Sequence, residues 1–116
     1  MTLEHQVCSL DLAKRLKELG VKQESLYYWV DQKDKWVPKH NHGVTPDSPS
    51  AFTVAELGEL LAEGMTDSHK TGYGYWTCKY TYLSQEEEPT VETQGDTEAN
   101  ARAKMLVYLL ENKLIT

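Results

Sequence analysis

His40 and His42, in the run "HNH" at residues 40–42, are the first side chains that could do chemistry, because two imidazoles one residue apart can share a metal ion. Zinc takes three or four protein ligands. The nearest carboxylate here is Asp47, and the chain has no C-x-x-C pair to complete a set. The run also spells the name of a nuclease signature, but in those enzymes the three residues are dispersed through a metal-binding ββα unit. A polar loop with no metal is the expectation. "KTG" at residues 70–72 echoes penicillin-recognising enzymes, which also need S-x-x-K for their nucleophile; no Ser in this chain is followed by Lys at the third position. "GYGYW" at residues 72–76 lacks the GK[ST] of a phosphate loop. Glu86, Glu87 and Glu88 read as a solvated acidic connection. No catalytic residue, metal ligand or cofactor is assigned, and no enzyme is expected, since no nucleophile–base pair assembles.

The aromatic residues hold more information. The chain has three Trp and seven Tyr against one Phe. Tyr and Trp serve where a surface must be apolar and still hydrogen-bond, as at protein interfaces and base-stacking platforms. The stretch "GVKQESLYYWV", residues 20–30, matches both the turn and second helix of a helix-turn-helix and a β-strand. As a helix it would spread Leu26, Tyr27, Tyr28, Trp29 and Val30 around its whole circumference, and its groove face would offer Gln23, Glu24 and tyrosines without Arg. Aromatic and β-branched residues before the polar "DQKDK" fit a hairpin, with strand 25–30, a turn over 31–35 and a second strand from Trp36. Pro38 suits an edge. Tyr27, Tyr28, Trp29, Trp36 and Tyr75 are the candidate binding residues, while most of the aromatics are expected to form the core of the sheet, because strand positions select them anyway.

These residues need a scaffold, and 116 residues suit one domain, 1–116, with a real core. Net charge is −6. Residues 1–50 hold seven basic and seven acidic side chains, residues 51–116 five and eleven, so the whole deficit lies in the second half. Only "AKRLKELGVK", with Lys14, Arg15, Lys17 and Lys22, is locally basic. The N-terminus lacks the basic and apolar regions of a secretory signal, and the longest apolar run, "MLVYLL", is far too short for a membrane span. A cytoplasmic location with no membrane partner is expected. Cys8 and Cys78 are expected as buried, inert thiols.

Hydropathy spacing predicts the elements. Ser9 caps a helix whose Leu12, Leu16 and Leu19 form one stripe beside Ala13, closed by Gly20. A loop over residues 38–50 precedes a second helix with a capping box, Thr53 and Glu56; Val54, Leu57, Leu60 and Leu61 mark its buried face and Gly64 its end. Residues 65–74 read as a polar loop. "GYGYWTCKYTYL" reads as a strand with Trp76, Cys78, Tyr80 and Tyr82 on one face, and "TVET" as a further strand. Asp96 or Thr97 caps a last helix on which Leu106 and Leu110 should be the most buried residues of the stripe. The expected fold is α+β: an antiparallel sheet of about four strands packed with three helices, in the order α-β-β-α-β-β-α.

Three stretches, "VCSLDLAKRLKELGVKQESLYYWV", "SAFTVAELGELL" and "TEANARAKMLVYLLENKLI", resemble a family of small bacteriophage and prophage proteins with no established activity. The resemblance covers about half the chain. It implies a mixed α/β fold, a host-cell setting and a phage or host protein as partner, and brings no catalytic residues. Two functions are expected from different classes: a non-enzymatic protein-binding module using an aromatic sheet face or the last helix, or a nucleic-acid binder using the basic first helix with Tyr27, Tyr28 and Trp29.

Overall fold

The computed structural model describes residues 2–40, 43–61, 64–82 and 90–114, with only the backbone described for Met65 and Tyr82. The elements run α1 (Leu3–Gln6), α2 (Leu10–Glu18), β1 (Tyr28–Gln32), β2 (Lys35–Lys39), α3 (Val54–Leu60), β3 (Gly64–Lys70), β4 (Trp76–Tyr82), β5 (Thr90–Gly95) and α4 (Glu98–Glu111). The α+β class holds. The element counts and order do not: the described residues hold a fourth helix, the short α1, and five strands, of which β1 and β2 form a two-stranded antiparallel sheet and β3–β4–β5 a separate three-stranded antiparallel one. His42 and Glu86, Glu87 and Glu88 lie outside the described residues.

Local signals predicted the helix starts well. Ser9 Oγ accepts from the Leu12 N–H at 3.4 Å. Thr53 and Glu56 form the reciprocal capping box, with Thr53 Oγ1 accepting from the Glu56 N–H at 3.3 Å and Glu56 Oε1 from the Thr53 N–H at 3.0 Å. Thr97, rather than Asp96, caps α4 by accepting from the Asn100 N–H at 3.1 Å. Gly20 closes α2 with φ of +90°, a conformation that costs other residues a steric clash. The hairpin reading of "SLYYWV" holds as well, although β1 starts at Tyr28 and runs on to Gln32. Its turn is only Lys33 and Asp34, at φ of 49° and 67°, the type I′ geometry that matches strand twist.

Three expectations need correction. Residues 64–70 are not a polar loop but the edge strand β3, and Gly64 opens that strand instead of ending α3. On α4, Leu109 is buried together with Met105 and Leu106, whereas Leu110 is half-buried. The stripe is therefore centred about a quarter-turn from the expected line. Finally, Leu60, expected on the buried face of α3, is 37% exposed. The face of β4 that carries Cys78 and Tyr80 packs toward α4, as expected. The register aligns Ser68, Cys78 and Thr93 across the three strands. Ser68 bonds Glu98 and Thr93 bonds the Ala101 carbonyl, so this row faces α4, and Cys78 and Tyr80 are buried beneath it. The opposite row is Asp67, Lys79 and Glu92, alternating in sign and exposed.

The helix α4 packs on the three-stranded sheet and also against α2 and α3. Gly95 lets it approach: a Cβ there would stand 2.6 Å from the Ala101 nitrogen. The hairpin joins the core through Trp29. Segment 49–53 runs between β1 and Val7–Cys8, with Trp29 N–H donating to the Pro49 carbonyl, Ala51 N–H to Tyr27, and Cys8 N–H to Phe52, each at 2.9 Å.

Candidate binding cleft

The five aromatic candidates fall in two places. Tyr27, Tyr28, Trp29 and Trp36 belong to the β1–β2 hairpin and its approach; Tyr75 lies in the β3–β4 connection. At the hairpin the aromatic groups are largely occupied. Trp29 is 7% exposed, and its indole Nε1–H donates to the Cys8 carbonyl at 3.0 Å. A buried donor of this kind must be answered inside the protein; Trp29 belongs to the core and offers no binding surface. The Tyr28 hydroxyl donates to the Gln23 carbonyl at 3.1 Å and accepts from the Ser25 N–H at 3.4 Å. Tyr27 is half-buried, edge-on to His40 at 6.1 Å. Trp36 is half-buried, with the Lys14 ammonium 5.2 Å from its ring centroid, a cation–π contact.

The β3–β4 connection behaves differently. Lys70 pairs with Trp76, so residues 71–75 form the hairpin tip, closed by the Thr71 N–H donating to the Tyr75 carbonyl at 2.8 Å. Tyr73 is 89% exposed and stacks on Tyr75, with centroids 6.4 Å apart and planes 12° from parallel. Beside this tip lies a cleft of about 550 Å3, lined by His5, Gln6, Thr53, Val54, Ala55, Lys70, Gly74, Trp76, Asp96, Thr97 and Glu98. Four separate elements build it: α1, the start of α3, the β3–β4 hairpin and the start of α4. That volume is in the range of small-ligand and side-chain pockets.

Several polar groups around the cleft are committed to structure. Thr53 and Thr97 cap their helices, and the Thr2 hydroxyl stands 3.1 Å from the His5 Nδ1. Glu98 takes a 2.5 Å hydrogen bond from the Ser68 hydroxyl and pairs with Arg102 at 3.6 Å, while Arg102 also donates to Ser68 Oγ and to the Val54 carbonyl. The network ties α4 to β3 and to the first turn of α3. Asp96 is exposed, and the Asn100 side-chain amide donating at 2.7 Å holds its carboxyl below the ordinary value of 3.8. Both thiols are buried, which pushes Cys8 and Cys78 up to about 11. Among the described residues no group of three His, Cys, Asp or Glu side chains could hold a metal ion, and no helix is long and apolar enough to cross a membrane.

Of the five sequence candidates only Tyr75 lies beside this cleft; Lys70, Trp76 and Val54, which line it, and the exposed Tyr73 at the neighbouring tip were not among them. The usable signal was Tyr73 between two glycines in "TGYGY", a hairpin-tip composition once residues 64–70 are taken as a strand. Comparison of the chain with protein-family models, with curated proteins and with solved structures brings no match.

Proposed function

We propose that the protein is a non-enzymatic binding module that takes a segment of a partner protein into the cleft beside Trp76. The observation that carries this is the juxtaposition of a cleft of about 550 Å3 with an aromatic tip whose Tyr73 is 89% exposed. Ordinary domains bury or scatter their large apolar side chains; an aromatic pair stacked at the rim of a concavity is the composition of an interface anchor. The committed hydroxyls of Thr53 and Thr97 favour binding over group transfer. A phage or host protein as the partner is what the resemblance of residues 7–30, 50–61 and 97–115 implies. The test is selection from a random peptide library on the wild-type protein alone, followed by titration of the selected peptides against the variants. Peptides that bind wild type in the micromolar range and lose about tenfold or more with Tyr73→Ala or Trp76→Ala support the reading. Selected peptides indifferent to both substitutions would overturn it.

One contact favours a second reading. Lys14 of the basic helix stands over Trp36, as a nucleic-acid surface of cations and aromatic rings would require. The neighbouring cations weigh against it: Arg15 pairs with Glu18 and Glu111, Lys22 with Glu24, and Lys17 donates to the Pro46 carbonyl. Titration with single- and double-stranded DNA at two salt concentrations decides it, since phosphate contacts weaken steeply with salt.

A further inference from the structure

We propose that the occupant of the cleft is an arginine-bearing segment of the partner, with its guanidinium held between the Trp76 ring and the Asp96 carboxylate. This rests on the reading of the cleft as a peptide site and adds the chemistry of what enters it. Trp76 is half-buried and lines the cleft, and Val54 and Ala55 give apolar wall for an aliphatic stem. A guanidinium over an indole face is the most favourable of the common cation–π pairs.

The competing occupant is an anion, for which Lys70 and the positive end of α4 would be the attractors. Geometry counts against it. Asp96 immediately precedes the Thr97 cap, so an anion approaching α4 would meet a carboxylate where it needs donors. The Thr97 hydroxyl already satisfies the Asn100 N–H. Asp96 stays ionised because the Asn100 amide stabilises its charged form. Glu98 is balanced by Arg102 and contributes little to either case. At longer range the chain carries −6, all of it from residues 51–116, which also supply nine of the eleven lining residues. A field of that sign concentrates cationic partners and repels anionic ones.

The experiment is isothermal titration of the full chain with a glycine–serine peptide containing arginines, with its glutamate counterpart, and with inorganic phosphate. The arginine peptide should bind and weaken when salt is raised from ~50 to ~500 mM, as an exposed ion pair requires. Asp96→Asn, which keeps an acceptor for Asn100, should weaken it about three- to fivefold, the scale of one surface charge pair. Lys70→Gln, on an exposed side chain, should tighten it by a similar factor. Binding of the glutamate peptide or phosphate, weakened by Lys70→Gln, overturns the cationic occupant and leaves the peptide site standing. A response to neither charge substitution overturns it too. If no peptide of either charge gives heat that Trp76→Ala abolishes, the peptide site falls with it.

Discussion

Tyrosine and tryptophan occur at both hairpins of this molecule, with opposite outcomes. In the β1–β2 hairpin, Trp29 spends its indole proton on Cys8, and Tyr28 its hydroxyl on Gln23. Segment 49–53 lies alongside and covers the strand. At the β3–β4 tip, the Tyr73 and Tyr75 rings stack on each other with Tyr73 almost wholly in solvent, and Trp76 lines a cleft. The connections differ as well: a two-residue turn of Lys33 and Asp34 against a five-residue tip, 71–75, carrying two glycines. What an aromatic residue does here is decided by whether a neighbouring segment is long enough and apolar enough to cover it, and residue type is secondary.

The sharpest way to break that contrast is truncation of the two tryptophans. Trp29→Ala should cost about 3 to 5 kcal/mol, because it empties a core site and leaves the Cys8 carbonyl unpaired. Trp76→Ala, from a half-buried ring, should cost clearly less. Urea denaturation midpoints for both variants check this, and equal losses would mean that the cleft is part of the core. Next in size is the alkaline response. Cys8 beneath the first hairpin and Cys78 on β4 both titrate near 11 in the folded chain, against an ordinary 9.0. Since the folded values are raised, the stability these thiols contribute is complete below pH 9 and is lost as pH rises toward 11. Each should account for about 2 to 3 kcal/mol over that window. Cys8→Ala and Cys78→Ala should each flatten the stability–pH curve by its own share; a curve flattened by only one of them would show one region to be wet.

A smaller effect is expected at the turn. Lys33 and Asp34 both adopt positive φ without being glycine. Replacing them with Asn-Gly should raise stability by about 0.5 to 1 kcal/mol, read as an upward shift in melting temperature. A fall instead would mean that Lys33 or Asp34 makes a compensating contact. The smallest stability effect belongs to Tyr73→Ala, within about 0.5 kcal/mol because the ring is nearly all in water. The same variant should show the greatest loss of partner binding relative to its stability change.

Elements whose signals are local were legible in the sequence. Ser9, Thr53 with Glu56, and Gly20 announce helix ends through bonds that span only a few residues, and the I′ hairpin follows from β-formers on either side of a polar turn. Strand β3, "GMTDSHK", was not legible: it has one β-branched residue and no aromatic, and becomes a strand because β4 offers it a ladder. Nor could spacing reveal that four of the strands would divide between two sheets, a matter of long-range pairing. The candidate site suffered for the same reason. Four of the five chosen residues cluster at the hairpin because aromatic density marked them. The cleft depends on where α1, α3, β4 and α4 meet, and only Tyr75 pointed there.

The bond from the Ser9 N–H to the Asn100 side-chain oxygen, 2.7 Å long and spanning 91 residues, reaches beyond statics. It joins the start of α2 to the start of α4, and α4 is also what covers Cys78 and Tyr80 on the sheet. During synthesis at roughly 5 to 20 residues per second, Ala13 and Leu16 therefore wait about 5 to 20 s for the helix that shelters them. Contacts of such separation also make the search for the native topology slow compared with a bundle of neighbouring helices. The domain is built to fold late and all at once, so a fragment ending before α4 should be recovered as a chaperone or protease substrate and not as a partly folded module.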